Sequence, residues 1–349
     1  MSQIKNKTIA INNDLLNLQS RRYIGNKYKL SEWIFSIIDK ECKGETFADI
    51  FAGTGVVSAQ ANGRYKKVIL NDFLYSNYNI YQAFFSKSKF SIDLINQYLK
   101  KYNSLDPAKI KDNYFSISFG NKYFTADSAK LIGYIREDLE KNKSKMSEKE
   151  YYILTTSLLY SADSIANTVG HYDAYFKNKN YVTKSFSMKM IQPVKTNSAD
   201  IYREDANTLV KRIKADIVYI DPPYNSRQYS RFYHVLENLI KWQKPKLFGT
   251  ALKPEPENMS DYCRVSAKDR FAELIKDIKA KYIVVSYNNT YESKSNSSEN
   301  KITHAELLTI LNSRGKTKIF EKEYRHFNSG KTNFNNHKEF LFVTYVKDN

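Results

Sequence analysis

Two rhythms of apolar residues alternate along the chain. Short runs break off at polar, Gly or Pro positions: Phe47 to Phe51, Lys67 to Asp72, Ile217 to Ile220 and Tyr282 to Tyr287 each read as a buried strand. Between and beyond them apolar residues recur at helical spacing. Leu30, Trp33, Ile34, Ile37 and Ile38 predict an amphipathic helix over Lys29–Lys40, and similar patterns predict helices from near Val56, after Asp205, around Val235–Ile240, over Ala267–Lys279 and over Thr303–Ser313. Strands alternating with helices predict an α/β fold around a mostly parallel sheet. The last two strands, Thr317–Arg325 and Glu339–Val346, are joined by a polar segment with no helix, so they predict a C-terminal antiparallel hairpin. From about Tyr78 to Lys195 the strand rhythm is missing and only helical stretches occur, the longest apolar one being Tyr151–Ala166. The expected organisation is a core made of residues 1–80 and 196–349, with 81–195 inserted into it.

Chemistry is expected where the strands stop, because open α/β sheets place ligands at the carboxyl ends of their strands. The run Ile217–Ile220 stops at Asp221-Pro222-Pro223-Tyr224. Two prolines stiffen the chain and donate no backbone hydrogen bond. A carboxylate, a main-chain carbonyl and a flat ring therefore stand within four residues, a set that suits a planar group carrying an amine. Phe51-Ala52-Gly53-Thr54-Gly55 is a tight turn leading from strand to helix, where glycines let a ligand approach the backbone. Asp72 ends the next strand 17 residues after Gly55, near the spacing at which such folds offer an acid to ribose hydroxyls. Asp72 and Asp205 could equally serve as helix N-caps. Tyr23 to Lys27 is a Gly-containing loop feeding a helix, which can hold an anionic group or be only a loop.

Composition changes the picture through charge. The 349 residues carry 55 Lys and Arg against 37 Asp and Glu, a net +18, with 28 Tyr and 20 Phe. Cations neutralise phosphates and rings stack on bases, so nucleic acid is the leading partner, ahead of a membrane surface or an acidic protein. Lys177, Lys179 and Lys184 alternate with Tyr172, Tyr175, Phe176 and Tyr181 in the insertion, and Arg227 and Arg231 follow the Asp-Pro-Pro-Tyr run. These are the candidate nucleic-acid contacts, with a solvated loop over part-buried rings as the competing reading of the lysine cluster. Only Cys42 and Cys263 are present, which excludes a disulfide framework and a cysteine zinc site, and the five histidines are scattered, so no metal is expected. The N-terminal residues lack the apolar core of a signal peptide and no run is long enough to span a bilayer, so a soluble cytoplasmic protein is expected.

The order Tyr23-Ile-Gly-Asn-Lys27, Phe51-Ala-Gly-Thr-Gly55, Asn71-Asp72, a long insertion, Asp205, then Asp221-Pro-Pro-Tyr224 resembles the alpha, or D12, class of adenine-specific DNA methyltransferases, which includes the Dam methylases. The resemblance implies a Rossmann-like S-adenosylmethionine-dependent methyltransferase fold, S-adenosylmethionine as donor and an adenine amine in double-stranded DNA as acceptor. It implies that Tyr23, Gly25, Lys27, Asp49, Phe51, Gly53, Gly55 and Asp72 enclose the donor. Asp205 and Ala206 would hold its adenine, although relatives often carry a larger apolar residue where Ala206 stands. It also implies that Asp221, Pro222, Pro223 and Tyr224 are catalytic, that the insertion is a target-recognition region, and that a cognate restriction endonuclease can accompany the enzyme. The chemistry of the residues agrees: an adenine amine is a poor nucleophile, and two acceptors at its N–H groups would localise its lone pair. An RNA adenine methyltransferase and an inactive nucleic-acid-binding protein on the same fold are the alternatives.

Overall fold

The computed structural model describes residues 15–177, 185–196, 198–289, 299–323 and 337–347. A 3-10 turn at Tyr28–Leu30 opens into α1 (Ser31–Glu41), followed by β1 (Thr46–Asp49), α2 (Val56–Asn62) and β2 (Lys67–Asn71). The helical segment follows: α3 (Tyr75–Phe85), α4 (Ile92–Asn103), α5 (Tyr114–Phe119), α6 (Ala126–Lys141) and α7 (Glu148–Ile165). The chain then returns to the sheet with β3 (Ala199–Tyr202), α8 (Ala206–Val210), β4 (Ile217–Ile220), α9 (Tyr229–Phe232), α10 (His234–Lys241), α11 (Ala267–Asp277), β5 (Tyr282–Asn288), α12 (His304–Asn312), β6 (Gly315–Glu323) and β7 (Lys338–Val346).

The seven strands form one sheet in the order β3-β2-β1-β4-β5-β7-β6. All neighbours from β3 to β5 run parallel, and β7 is antiparallel to both β5 and β6. This is the expected Rossmann-like sheet with its C-terminal hairpin, and β7 slots between β5 and β6. The order reverses between β1 and β4, whose carboxyl ends are Asp49 and Ile220, so the topological switch point lies beside Asp221.

Strand alternation sends one set of side chains to each face. Phe47, Val68, Leu70, Ile217, Tyr219, Val284, Leu341 and Val343 share a buried cluster with α1, α2, α3, α7 and α10. Ala48, Ile69, Val218, Ile220, Ile283, Val285 and Phe342 pack with α8, α11 and the inner side of α12 on the other face. The first cluster continues without a break into α5 and α6, so the helical segment is packed onto the sheet. No helix among the described residues is long and apolar enough to cross a membrane. Three elements have no counterpart in the sequence reading, the edge strand β3, the six-residue helix α5 and the four-residue helix α9.

Candidate active site

A cleft of about 1000 Å³ opens at the carboxyl edge of the sheet. Its wall includes Tyr23, Gly25 and Lys27 from the N-terminal loop, Asp49 at the end of β1 with Phe51 and Gly53 after it, Asp72 after β2, Asp205 and Ala206 after β3, and Asp221, Pro222, Pro223 and Tyr224 after β4. Thirteen of the fourteen residues expected at the donor and acceptor sites therefore meet in one space. Gly55 stands behind the wall. It adopts φ +79° at the start of α2, and a Cβ there would lie 3.3 Å from the Tyr81 ring and 3.4 Å from the Phe85 ring. Only glycine accepts both that backbone and that approach without strain. Tyr81 in turn donates its hydroxyl to the Gly53 carbonyl at 2.8 Å, fixing the turn from α3.

The N-terminal loop is strapped across this edge by buried groups. Arg21 is 2% exposed, donates to Asn77 Oδ1 at 2.6 Å and lies over the rings of Tyr23 and Tyr233. Tyr23 stacks on Tyr233 at 4.7 Å, and the Ile24 amide donates to the Tyr233 hydroxyl at 2.8 Å. The guanidinium of Arg22 caps the end of α7, donating to the carbonyls of Asp163, Ala166 and Thr168. Arg21 and Arg22 pin the loop that carries Gly25 and Lys27.

On the donor side, Asp72 accepts the Gly53 amide at 3.0 Å and the Leu74 amide at 2.9 Å. Asp49 is 1% exposed and accepts the Ser58 hydroxyl at 2.7 Å; burial pushes its carboxyl up to about 8, against that hydrogen bond, with Asp221 and Asp72 adding to the rise. Asp205 is the N-cap of α8, accepting the Thr208 amide at 3.0 Å, and also pairs with Arg270. All of these contacts use Oδ1, so capping and a place in the cleft wall coexist. The segment after α10 folds back to add Asn258, Ser260 and Tyr262 to the wall. Gln228 holds it there by paired hydrogen bonds with the Ser260 backbone, and the Tyr262 ring meets Phe51 edge-on at 5.1 Å. Those three residues carried no legible signal in the sequence.

At the Asp221 end of the cleft, where the acceptor is expected, the carboxylate is already engaged. Lys27, 4% exposed, places its ammonium 3.1 Å from Asp221 Oδ1 and donates to the Tyr224 hydroxyl oxygen at 2.6 Å. The Tyr224 hydroxyl donates to the same Oδ1 of Asp221. A second carboxylate, Glu339 at the start of β7, lies 3.9 Å from the ammonium. Burial works against the Lys27 charge, but Asp221 and Glu339 outweigh it and raise its pKa. Burial likewise raises the Asp221 carboxyl, against the pull of Lys27 and Tyr224. Glu339 was missed in the sequence, although an acid in register with inward-facing Leu341 and Val343 is a signal for a buried partner.

The structure describes three of the five expected nucleic-acid contacts. Lys177 is exposed; Lys179 and Lys184 lie outside the described residues. Arg231 is half-buried and donates to the Pro254 carbonyl at 2.6 Å, and Arg227 is half-buried, its carbonyl accepting from the Cys263 thiol. Among the described residues no group of three or more His, Cys, Asp or Glu is placed to hold a metal ion. Both cysteines are buried and unpaired.

A parallel sheet closed by one antiparallel strand, with a Gly turn and an Asp-Pro-Pro-Tyr run facing one cleft, defines a Rossmann-like methyltransferase. The profile of the D12 class N6 adenine-specific DNA methyltransferases matches residues 23–298, and the chain belongs to that family. It is 32% identical over 329 residues to the type II methyltransferase M.NlaIII of Neisseria lactamica, covering 90% of this chain and 95% of that protein. It is also 32% identical over 339 residues to the type II methyltransferase M.CviAII of Paramecium bursaria Chlorella virus 1, covering 93% and 98%. The type II methyltransferase M.FokI of Planomicrobium okeanokoites shares 32% identity over 341 residues, 88% of this chain and 50% of that one. Among solved structures, a putative methyltransferase from Escherichia coli overlays with a TM-score of 0.30 at 10% identity, covering 91% of this chain and 87% of its own, too slight a likeness to bear on function. The chain is an adenine-specific DNA methyltransferase acting at a defined site.

Proposed function

We propose that the cleft binds S-adenosylmethionine on its Gly53, Asp72 and Asp205 side and receives a flipped adenine of duplex DNA at Asp221–Tyr224. The observation that carries this reading is the meeting of both residue sets in one cleft at the switch point of the sheet. The donor side suits a cation: Asp49 and Asp72 gather there in a chain whose net charge is +18. When bound, S-adenosylmethionine supplies an electrophilic methyl group on its sulfonium. Asp72 and Asp205 would hold its sugar and base, with Phe51 and Ala206 beside them, and Tyr23, Gly25 and Lys27 would close the loop over it. The small Ala206 gives little stacking area, which leaves Phe51 and Tyr262 as the larger apolar surfaces near the ring.

On the acceptor side the Asp221 carboxylate and the Pro222 carbonyl would each accept one N–H of the adenine amine, localising its lone pair. Pro223 keeps that segment rigid, and the Tyr224 ring would stack on the extruded base. Transfer is then direct, because neither buried cysteine lines the cleft to act as a nucleophile. Residues 81–195 would form the target-recognition region within a catalytic domain of 1–80 and 196–349. Lys177, Lys179, Lys184, Arg227 and Arg231 are its proposed DNA contacts, and a restriction endonuclease of the same specificity is the proposed partner in the cytoplasm.

The test is transfer of labelled methyl from S-adenosylmethionine by the purified protein to adenine-containing duplex DNA and to RNA of the same sequence. Label is expected in the duplex. Asp221→Ala should lower transfer by at least about 10²-fold while donor affinity by calorimetry stays within threefold of wild type. Label in RNA instead of duplex, or full activity in the variant, would overturn the reading.

A further inference from the structure

The contacts of Lys27 pose a problem that the reaction must solve. Its ammonium and the Tyr224 hydroxyl both occupy Asp221 Oδ1, on the carboxylate that the proposed function gives to the adenine amine. That oxygen is therefore taken by internal donors in the resting site. For the amine to engage that oxygen, the ammonium has to leave Asp221, and a cation this deeply buried cannot leave one carboxylate without another to receive it. Glu339 Oε2 is 3.9 Å from the ammonium, and the Glu339 side chain is only 5% exposed. Closing that gap to the roughly 2.8 Å of a charge-assisted hydrogen bond takes about 1 Å of travel, within reach of a four-carbon stem.

We propose that Glu339 is a positioning residue that takes up the Lys27 ammonium when the substrate amine engages Asp221. Its placement fits that role. Glu339 stands on β7 in register with Leu341 and Val343, on a face otherwise given to the apolar core, where an acid is costly unless it serves a partner. His337, 3.5 Å from the other carboxylate oxygen, supports the side chain from behind. The antiparallel strand thus contributes to the chemistry, and occupancy of Asp221 alternates between an internal cation and the substrate. The same displacement releases the Tyr224 hydroxyl from its bridge between Lys27 and Asp221, leaving the ring free to adjust to a base.

The proposal rests on the adenine-acceptor reading of Asp221 and is tested by a double-mutant cycle on the full chain. Single-turnover methyl transfer to an adenine-containing duplex at saturating S-adenosylmethionine is measured for wild type, Glu339→Gln, Lys27→Met and the double variant. In parallel, 2-aminopurine placed beside the target adenine, with S-adenosylhomocysteine in place of the donor, reports extrusion of that adenine without turnover. Glu339→Gln is expected to slow transfer at least tenfold and to reduce the 2-aminopurine signal, with donor affinity within threefold of wild type, because Lys27 then stays on Asp221. In the Lys27→Met background the same Glu339→Gln change should alter the 2-aminopurine signal less than twofold, and Glu339→Asp should recover part of the loss in the native background. Wild-type transfer by Glu339→Gln, or an equal loss of base entry in both backgrounds, would overturn it. Absence of transfer by the wild type would instead overturn the reading of Asp221 itself.

Discussion

Asp49 holds its proton far above the ordinary carboxylate range, at about 8, because burial disfavours its charge. Its unfolded value is about 3.9, so the native state binds this proton more tightly than the unfolded chain does. The resulting stabilisation is complete below about pH 4 and is lost as pH rises toward 8. Without donor, the melting temperature should therefore fall between pH 5.5 and pH 8.5, and Asp49→Asn, which cannot ionise, should flatten that fall. A cationic donor reverses the balance by favouring the carboxylate, so donor binding at pH 7 should release protons. Calorimetry in buffers of different ionisation enthalpy measures this; no release, or uptake, would contradict it. At this scale the candidates Asp221, Asp72 and Asp205 were legible because each follows an apolar run or opens a helix. Their partners were not: Lys27 meets Glu339 across more than 300 residues of chain, and nothing local in Tyr23–Lys27 tells where the ammonium points.

At the level of elements, the cleft depends on a cap that crosses the fold. Glu237 of α10 accepts the backbone amides of Tyr75 and Ser76 at 3.0 and 2.8 Å, capping α3 three residues after Asp72. Glu237→Ala should cost about 1–2 kcal/mol by chemical denaturation. It should also weaken donor binding, because α3 carries Tyr81, which fixes Gly53. Unchanged stability and donor affinity would show that the cap is dispensable. The main strands were readable because each is a buried apolar run. The edge strand β3 was not, because Ala199, Asp200, Ile201 and Tyr202 are all only half-buried and carry no contrast between faces. Helix α5 is too short to establish a period. That the last two strands would pair was legible from the missing helix; that β7 would insert beside β5 was not, since pairing partners are chosen by the whole sheet.

For the whole molecule, a chain of net charge +18 gathers Asp49, Asp72, Asp205 and Asp221 in one cleft, a contrast that would separate a cationic donor from duplex DNA electrostatically. Duplex binding should weaken at least about 100-fold between 50 and 200 mM salt, while donor affinity changes less than about threefold; equal salt responses would contradict the separation. The sign of the net charge was legible, but its use was not. Arg21, Lys27, Arg136 and Lys149 are all buried, and Arg136 and Lys149 donate to the carbonyls that end α10 and α3, so the sum overstates the cations available to DNA. The central claim is that Asp221 presents an adenine of duplex DNA to a methyl donor. It is tested most directly by long-read sequencing of DNA from cells expressing the wild-type chain or Asp221→Ala. The wild type should leave N6-methyladenine at one recurring sequence and the variant none; an unmodified genome, or the same pattern from both, would contradict it.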